Sequence, residues 1–319
     1  MRVFRGIPAR ADRALALTIG NFDGVHLGHQ AMLARLIEAA ARLGAPAAVM
    51  TFEPQPQEFF APDQAPARLT SLREKLELLR SHGVERTYVF RFDYRFAQLS
   101  PRDFIERVLV RGLGVRWLLV GDDFRFGARR AGDFAMLKAL GAEHGFEVEA
   151  MHSVVRGGER VSSTAVRARL EAGDLAGAQA LLGRQYAISG RVVRGDSLGS
   201  RLGYPTANVQ LRRLRPALAG IFVVEVDCLE ERPLPGVASV GVRPTVKQRG
   251  EPTLEVHLFD FERRIYGRRI CVRFLQKLRD EQKYATLDEL TAQIARDVAV
   301  AKQFFRFKGT EAHRSVGKN

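Results

Sequence analysis

Through its first 150 residues the chain alternates short apolar runs with longer stretches whose apolar residues return at helical spacing. Residues 14–19 make a strand-length run that ends at Gly20. From Gly28 onward, Leu33, Leu36, Ile37, Ala40 and Leu43 share one face of a helix. Residues 47–52 form a second strand-length run, and after a Pro-rich loop Leu72, Leu76 and Leu79 mark another helical face. Residues 87–90, 117–120 and 146–150 continue the strands. Residues 101–111, with Pro101 suited to a first turn, and 133–143 continue the helices. A strand–helix–strand repeat makes a parallel sheet covered on both faces. The pattern therefore predicts a doubly wound, Rossmann-like α/β domain. Ligands in such folds bind beyond the carboxyl ends of the strands, which points to the loops after Ile19, Phe52 and Val120.

The character changes near Tyr186. Short β-prone runs follow at 187–193, 221–227, 236–240, 254–259 and 269–274, punctuated by Gly and Pro. They predict a small antiparallel β-barrel. A terminal helix closes it: Thr286 and Glu289 have capping-box spacing, and Leu287, Leu290, Ile294, Val298 and Phe305 share a stripe that reads as core packing. The expected organisation is α/β plus all-β, with domains at 1–184 and 185–310 and a polar, frayed tail at 311–319.

The net charge of +14 is carried by arginines scattered along the chain, without the interleaved aromatics of a base-stacking surface. It reads as a solvated basic surface that favours anionic ligands, not as a nucleic-acid groove. No run approaches the ~20 apolar residues of a membrane span, and the first residues lack the apolar core of a secretory signal. Two cysteines, Cys228 and Cys271, make neither a disulfide framework nor a metal set. Both sit in apolar runs and read as buried thiols of a cytoplasmic protein.

Chemistry concentrates in two constellations. Gly20-Asn-Phe-Asp-Gly-Val-His26-Leu-Gly-His29 joins the first strand to the first helix. Gly28 allows close backbone approach, the helix N-terminus favours negative charge, and His26 and His29 can donate to phosphate oxygens as charge develops at phosphorus. The spacing resembles the His-x-Gly-His signature of the nucleotidyltransferase superfamily, which implies attack on the α-phosphorus of ATP with release of pyrophosphate. Val120-Gly-Asp-Asp-Phe-Arg-Phe-Gly127 and Val161-Ser-Ser-Thr-Ala-Val-Arg167 narrow the acceptor. In the latter, a helix cap by Ser or Thr is the plain alternative to phosphate binding. Together these segments resemble the FMN adenylyltransferase module of the bifunctional bacterial riboflavin kinase/FAD synthetases. The resemblance implies His26 and His29 as catalytic residues. It implies nucleotide contacts from Gly20, Asn21, Asp23, Gly28, Asp123, Arg125, Ser162, Ser163, Thr164 and Arg167. Phe52, Phe60 and Phe126 match its aromatic positions and stand as candidates for a flavin clamp or for ordinary core. Where that family commonly has Pro-His-Pro after the second strand, this chain has Pro54-Gln55-Pro56.

The second constellation begins with Gly195-Asp-Ser-Leu-Gly-Ser-Arg-Leu-Gly-Tyr-Pro-Thr206-Ala-Asn208, which is Gly-rich but lacks the Gly-Lys-Ser/Thr of a Walker loop. Thr206 and Asn208 offer two oxygen ligands suited to Mg²⁺, or a turn held by local backbone bonds. Gly236-Val-Ala-Ser-Val-Gly-Val-Arg-Pro-Thr245 and the strand around Glu255 follow. Glu255 is either an outward residue of an alternating strand or a general base. These segments resemble the riboflavin kinase module of the same family. That likeness implies Mg²⁺ on Thr206 and Asn208, nucleotide contacts from Gly199, Gly203, Thr206 and Asn208, Glu255 as catalytic base and Arg279 near the flavin. Arg201 lies one position away from the arginine of the usual Gly-Arg-x-Leu-Gly. The partners implied are riboflavin, FMN, FAD, ATP, ADP and pyrophosphate, with ATP the co-substrate of both reactions. Rival readings are a different nucleotidyltransferase with a non-catalytic C-terminal half, and an RNA-binding protein built on a synthetase-like fold.

Overall fold

The computed structural model describes residues 1–195, 198–213, 215–243 and 251–316. The chain forms two compact units, Met1–Pro66 with Thr70–Ser163, and Ala67–Leu69 with Thr164–Asn319.

The first unit holds a six-stranded sheet of β1 (Arg2–Arg5), β2 (Leu15–Ile19), β3 (Ala47–Glu53), β4 (Arg86–Arg91), β5 (Val115–Gly121) and β6 (Glu147–Met151), in the order β1-β4-β3-β2-β5-β6. Every pairing is parallel. Side chains alternate across a strand, so Leu15, Leu17 and Ile19 enter one core and Ala16 the opposite one. The first core is completed by Phe104, Ile105, Val108 and Leu109. The second is completed by Leu33, Leu36, Ala39 and Ala40 of α1 (Leu27–Leu43). After β2 the chain builds outward through β3 and β4, then crosses to β5 on the other side of β2. The order therefore reverses between β2 and β5, the crevice where an open α/β sheet takes its ligands.

Four short helices complete this run: α2 (Pro56–Phe60), α3 (Leu72–Ser81), α4 (Tyr94–Ala97) and α5 (Pro101–Asp103). α3 opens on a capping box in which Ser71 and Glu74 satisfy each other's backbone N–H groups. Beyond α5 the expected ordinary helix is a π-helix, Phe104–Gly112. Its buried residues recur at 104–105, 108–109 and 112–113, a repeat wider than 3.6, and the wider turn keeps them all on one face. α6 (Phe134–His144) is capped by Asp133, whose carboxylate accepts from the Met136 N–H. A two-stranded hairpin, β7 (Val155–Arg156) and β8 (Glu159–Arg160), turns at Gly157 and Gly158, both at positive φ. Neither this hairpin nor β1 has a run long enough to be read from the sequence.

The second unit begins along α7 (Ser163–Glu171) and α8 (Leu175–Leu182). This compact unit thus includes both helices, whereas the sequence reading bounds the first domain at residue 184. The barrel comprises β9 (Ala187–Val193), β10 (Ala207–Val209), β11 (Gly220–Asp227), β12 (Leu234–Arg243), β13 (Glu251–Leu258) and β14 (Arg269–Arg279), closed in the order β10-β13-β12-β11-β14-β9 with every pair antiparallel. α9 (Leu198–Arg201) precedes β10. β10 has three residues, too few for a sequence pattern, yet it closes the ring. α10 (Leu287–Val316) reaches Val316, so its described residues extend into the stretch 311–319 read from the sequence as a tail. Its cap bonds Glu289 N–H to Thr286 and the Glu289 carboxylate to Ala285 N–H. The stripe on α10 is not all core: Val298 and Phe305 pack with Val223 and Phe259, whereas Leu287 is exposed. Cys228 is exposed and Cys271 half-buried, because Cys228 follows β11 in a turn at φ +75, outside the barrel wall. The Pro244-Thr245 pair lies outside the described residues.

Candidate active sites

In the first unit the turn from β2 to α1 is held under strain. Phe22 and Val25 sit at φ +48 and +42, unfavourable for any residue with a Cβ. Both are buried, and the turn is pinned from outside. The Asp23 carboxylate accepts from Thr70 N–H at 2.9 Å and from the Thr70 hydroxyl at 3.0 Å, Gly24 N–H donates to the same hydroxyl, and the Ser163 hydroxyl donates to the Asp23 carbonyl. Asp23 and Ser163 thus brace the turn; a buried carboxylate requires such donors. The sequence places both among the nucleotide contacts, but neither lines the adjoining cavity, and nor does Asn21, whose carbonyl accepts from Thr51.

The turn delivers two imidazoles to the N-terminus of α1. His26 is its N-cap, and its Nδ1 accepts from His29 N–H at 3.3 Å. That bond leaves the ring hydrogen on Nε2. The His26 and His29 rings stack with centroids 3.7 Å apart and an interplanar angle of 18°. Burial, then repulsion of a protonated ring by His26 and Lys75, holds the His29 pKa well below its ordinary value, so His29 is neutral at pH 7. A Cβ on Gly28 would lie 3.2 Å from the His26 ring, which is why glycine stands between the two histidines.

A cavity of about 250 Å³ opens here between the ends of β2 and β5. It brings together Gly20, His26, Gly28, His29, Asp123 and Ser162. Asp123 pairs with Arg160 from β8 at 3.2 Å, and Asp122 lies 3.4 Å from His152. Neither Arg160 nor His152 has a motif to mark it in the sequence. Thr164 and Arg167 fall within the second unit, where Arg167 Nε donates to the Ala67 carbonyl at 2.6 Å.

A second cavity in this unit, about 590 Å³, lies over the ends of β3 and β4. Phe52, Phe60 and Phe126 all line it, together with Phe92, Phe96 and Phe124. The rings contact one another at 5.6–5.8 Å, for example Phe52 with Phe92 and, stacked, Phe124 with Phe126. Arg125 faces this cavity, not the first, and pairs with Asp133. Ile19 and Phe124 line both cavities, so the aromatic slot and the imidazole pocket abut. Gln55 lines neither. It is buried at the N-cap of α2, its backbone N–H donating to Glu58, and its side-chain Nε2 has no partner among the described residues. Phe92 and Phe96 went unread because an aromatic residue on its own carries no positional signal.

In the second unit a cavity of about 500 Å³ at the barrel is lined by Gly199, Thr206, Glu255 and Arg279. Asn208 is registered directly opposite Glu255 across the β10–β13 ladder. A Cβ on Gly195 would meet the Asn208 amide at 2.3 Å, and one on Gly199 the Tyr204 carbonyl at 2.5 Å, so both glycines let the loop close over these residues. Gly203 sits in that loop at φ +84, and neither it nor Arg201 lines the cavity. His257, two residues from Glu255 on the same strand face, sets its Nδ1 2.9 Å from the Pro205 carbonyl and so fixes the approach to Thr206. Arg279 is committed to α10. Its guanidinium bonds Asp297 through Nε at 3.0 Å and Nη2 at 2.7 Å, and both side chains are largely buried. This pairing raises the Arg279 pKa, chiefly through the bond to Asp297. Leu290, Ile294 and Val298 of α10 form part of the cavity wall, which corrects their reading as pure core.

The chain matches the family model for FAD synthetase over residues 9–165 and that for riboflavin kinase over residues 182–305. It is 52% identical over 308 residues to the bifunctional riboflavin kinase/FMN adenylyltransferase of Escherichia coli (strain K12), covering 96% of this chain and 98% of that protein. The protein of the same name from Pseudomonas fluorescens is 51% identical over 290 residues, covering 91% and 93%. Among solved structures, one described as a macrolide-efflux protein from Streptococcus pneumoniae superposes with a TM-score of 0.78 at 28% identity, covering 95% of this chain and 99% of that one. Among the described residues no helix is long and apolar enough to cross a membrane.

Proposed function

The chain belongs to the bifunctional riboflavin kinase/FMN adenylyltransferase family, and we propose that its two cavity systems divide the two reactions as follows. It phosphorylates riboflavin to FMN and adenylylates FMN to FAD, with ATP the co-substrate of each step. Adenylylation belongs to the first unit and phosphorylation to the barrel.

The observation that carries the reading is the abutment of an aromatic slot and an imidazole pocket at the reversal of strand order. A flavin ring is flat and apolar and suits the phenylalanine slot. The ATP phosphates suit Gly20, Gly28, Ser162 and the N-terminus of α1. An FMN phosphate oxygen attacks the α-phosphorus, and the bond to the pyrophosphate oxygen breaks. No protein nucleophile enters. His26, with its hydrogen on Nε2, and neutral His29 donate to the oxygens that gain charge.

In the barrel, Glu255 takes the proton of the ribityl 5′-hydroxyl as that oxygen attacks the γ-phosphorus and ADP leaves. The hydroxyl of Thr206 and the amide oxygen of Asn208, across the ladder from Glu255, are hard oxygen donors and fit Mg²⁺, which takes few protein ligands and completes its shell with water and phosphate. When bound there, Mg²⁺ offsets charge on the transferring phosphate. The reading extends to a cytoplasmic setting, in keeping with ATP consumption and the exposed free thiol of Cys228.

The test follows flavins over time from riboflavin and Mg-ATP. Wild type yields FMN and then FAD; His29→Ala accumulates FMN; Glu255→Ala leaves riboflavin but adenylylates added FMN. A His29→Ala variant that forms no FMN from riboflavin, or a Glu255→Ala variant that fails to adenylylate added FMN, refutes the division of labour.

A further inference from the structure

Lys75 is a charge that neither reaction uses. It lies in the second turn of α3 with 0% of its surface exposed. An ammonium survives at such depth only where polar groups hold it. One of them is Thr51 at the end of β3, whose hydroxyl oxygen lies 3.4 Å from Nζ. That hydroxyl donates in turn to the Asn21 carbonyl at 3.3 Å, in the turn that carries His26 and His29. Thr70, just before the Ser71 cap of α3, pins Asp23 and Gly24 of the same turn. The start of α3 therefore grips the strained turn twice, once through Thr70 and once through Lys75 and Thr51.

The charge also reaches the imidazoles. His29 has His26 beside it on α1 and Lys75 on α3. Asp122, Asp123, His152 and Arg160 face it across the cavity. Of these, His26 and Lys75 act on its protonation, after burial itself.

We propose that Lys75 is a positioning residue for adenylyl transfer: through Thr51 and Asn21 it fixes the turn that presents His26 and His29 to the phosphate pocket. This rests on the reading of the imidazole pocket as the adenylyl-transfer site. Both His26 and Lys75 disfavour a protonated His29.

The test uses the full chain, because riboflavin phosphorylation by the same molecule reports whether the protein is intact. Lys75→Met keeps length and removes charge. Thr51→Val removes the relay hydroxyl and leaves the charge. With Lys75→Met, kcat for FAD formation falls by about tenfold, KM for FMN and ATP changes little, and the acid limb of the pH profile moves to higher pH. With Thr51→Val, kcat falls while the acid limb stays. Riboflavin phosphorylation is unchanged in both. Should Lys75→Met fail to fold, Thr51→Val still decides: FAD formation at the wild-type rate overturns the inference. A Lys75→Met variant whose loss appears only as a lower melting temperature, with the acid limb unmoved, marks a merely structural lysine and overturns it too. His29→Ala, run alongside, separates the two levels: if it forms FAD normally, the site reading fails and the inference with it, whereas a dead His29→Ala beside normal Lys75→Met and Thr51→Val sinks only the inference.

Discussion

One methyl group at Gly132 tests the aromatic slot. Gly132 forms an isolated bridge with Phe126, its backbone bonded to that residue in both directions, at 2.9 and 3.1 Å. A Cβ there would stand 2.6–2.7 Å from three atoms of the Phe126 ring, about 0.8 Å inside the 3.4 Å at which ordinary contact begins. The ring has little room to retreat. Phe104 lies behind it at 5.4 Å and Phe124 is stacked on it at 5.8 Å. Gly132→Ala therefore drives Phe126 into the cavity or forces the bridge apart. Overpacking of this kind costs roughly 1–3 kcal/mol of stability. The loss of one aromatic contact to a flavin ring is worth about 0.5–1.5 kcal/mol, which at about 1.4 kcal/mol per decade raises KM for FMN by roughly two- to twelvefold. The assay is the initial rate of FAD formation at varied FMN, with riboflavin phosphorylation by the same sample as the control. A lower melting temperature with KM for FMN unchanged would refute the reasoning, because Phe126 would then be a wall of the core and not of the flavin seat.

Three further outcomes follow from the same geometry. Gly28→Ala sets a Cβ 3.2 Å from the His26 ring and 3.4 Å from the Val161 carbonyl; FAD formation should fall at least about tenfold while riboflavin phosphorylation holds, as a two-substrate assay reports. Asp297→Ala leaves the Arg279 guanidinium largely buried without its carboxylate; urea unfolding should register a loss of about 2–4 kcal/mol, the low side of a fully buried pair because Arg279 keeps some solvent. The His29 pKa is depressed in the fold, so the unfolded chain binds a proton first as pH falls. His29 therefore destabilises the fold progressively from its ordinary value of 6.5 down through its folded pKa. The pH dependence of unfolding should flatten over that window in His29→Gln, and an unchanged slope would count against the buried neutral imidazole.

How much could be read in advance differs between the two units. In the first, strands buried on both faces are continuous apolar runs, and the helices between them carry one-faced stripes, so both periods are visible along the chain. The imidazole pair was legible for the same reason: His26, Gly28 and His29 sit within one turn, where local geometry decides what meets. The barrel strands were legible too, except β10, whose three residues carry Asn208 and gain their meaning only from pairing with β9 and β13.

What the chain order alone determined is therefore the local part: strand–helix alternation, the Gly-His turn, the Pro-Thr-Ala-Asn loop and the run that carries Glu255. What only the tertiary structure decided is which distant segments converge. Phe52, Phe92 and Phe126 come from three strand ends to line one slot. Asp23 turns away from the pocket because Thr70 offers two donors. Arg279 is claimed by Asp297 of α10. Lys75 looks like any charged residue on a helix until the sheet buries it beside Thr51. The physical reason is common to all four: periodicity fixes which way a side chain leaves its own element, whereas its partner is fixed by packing between elements that are far apart along the chain.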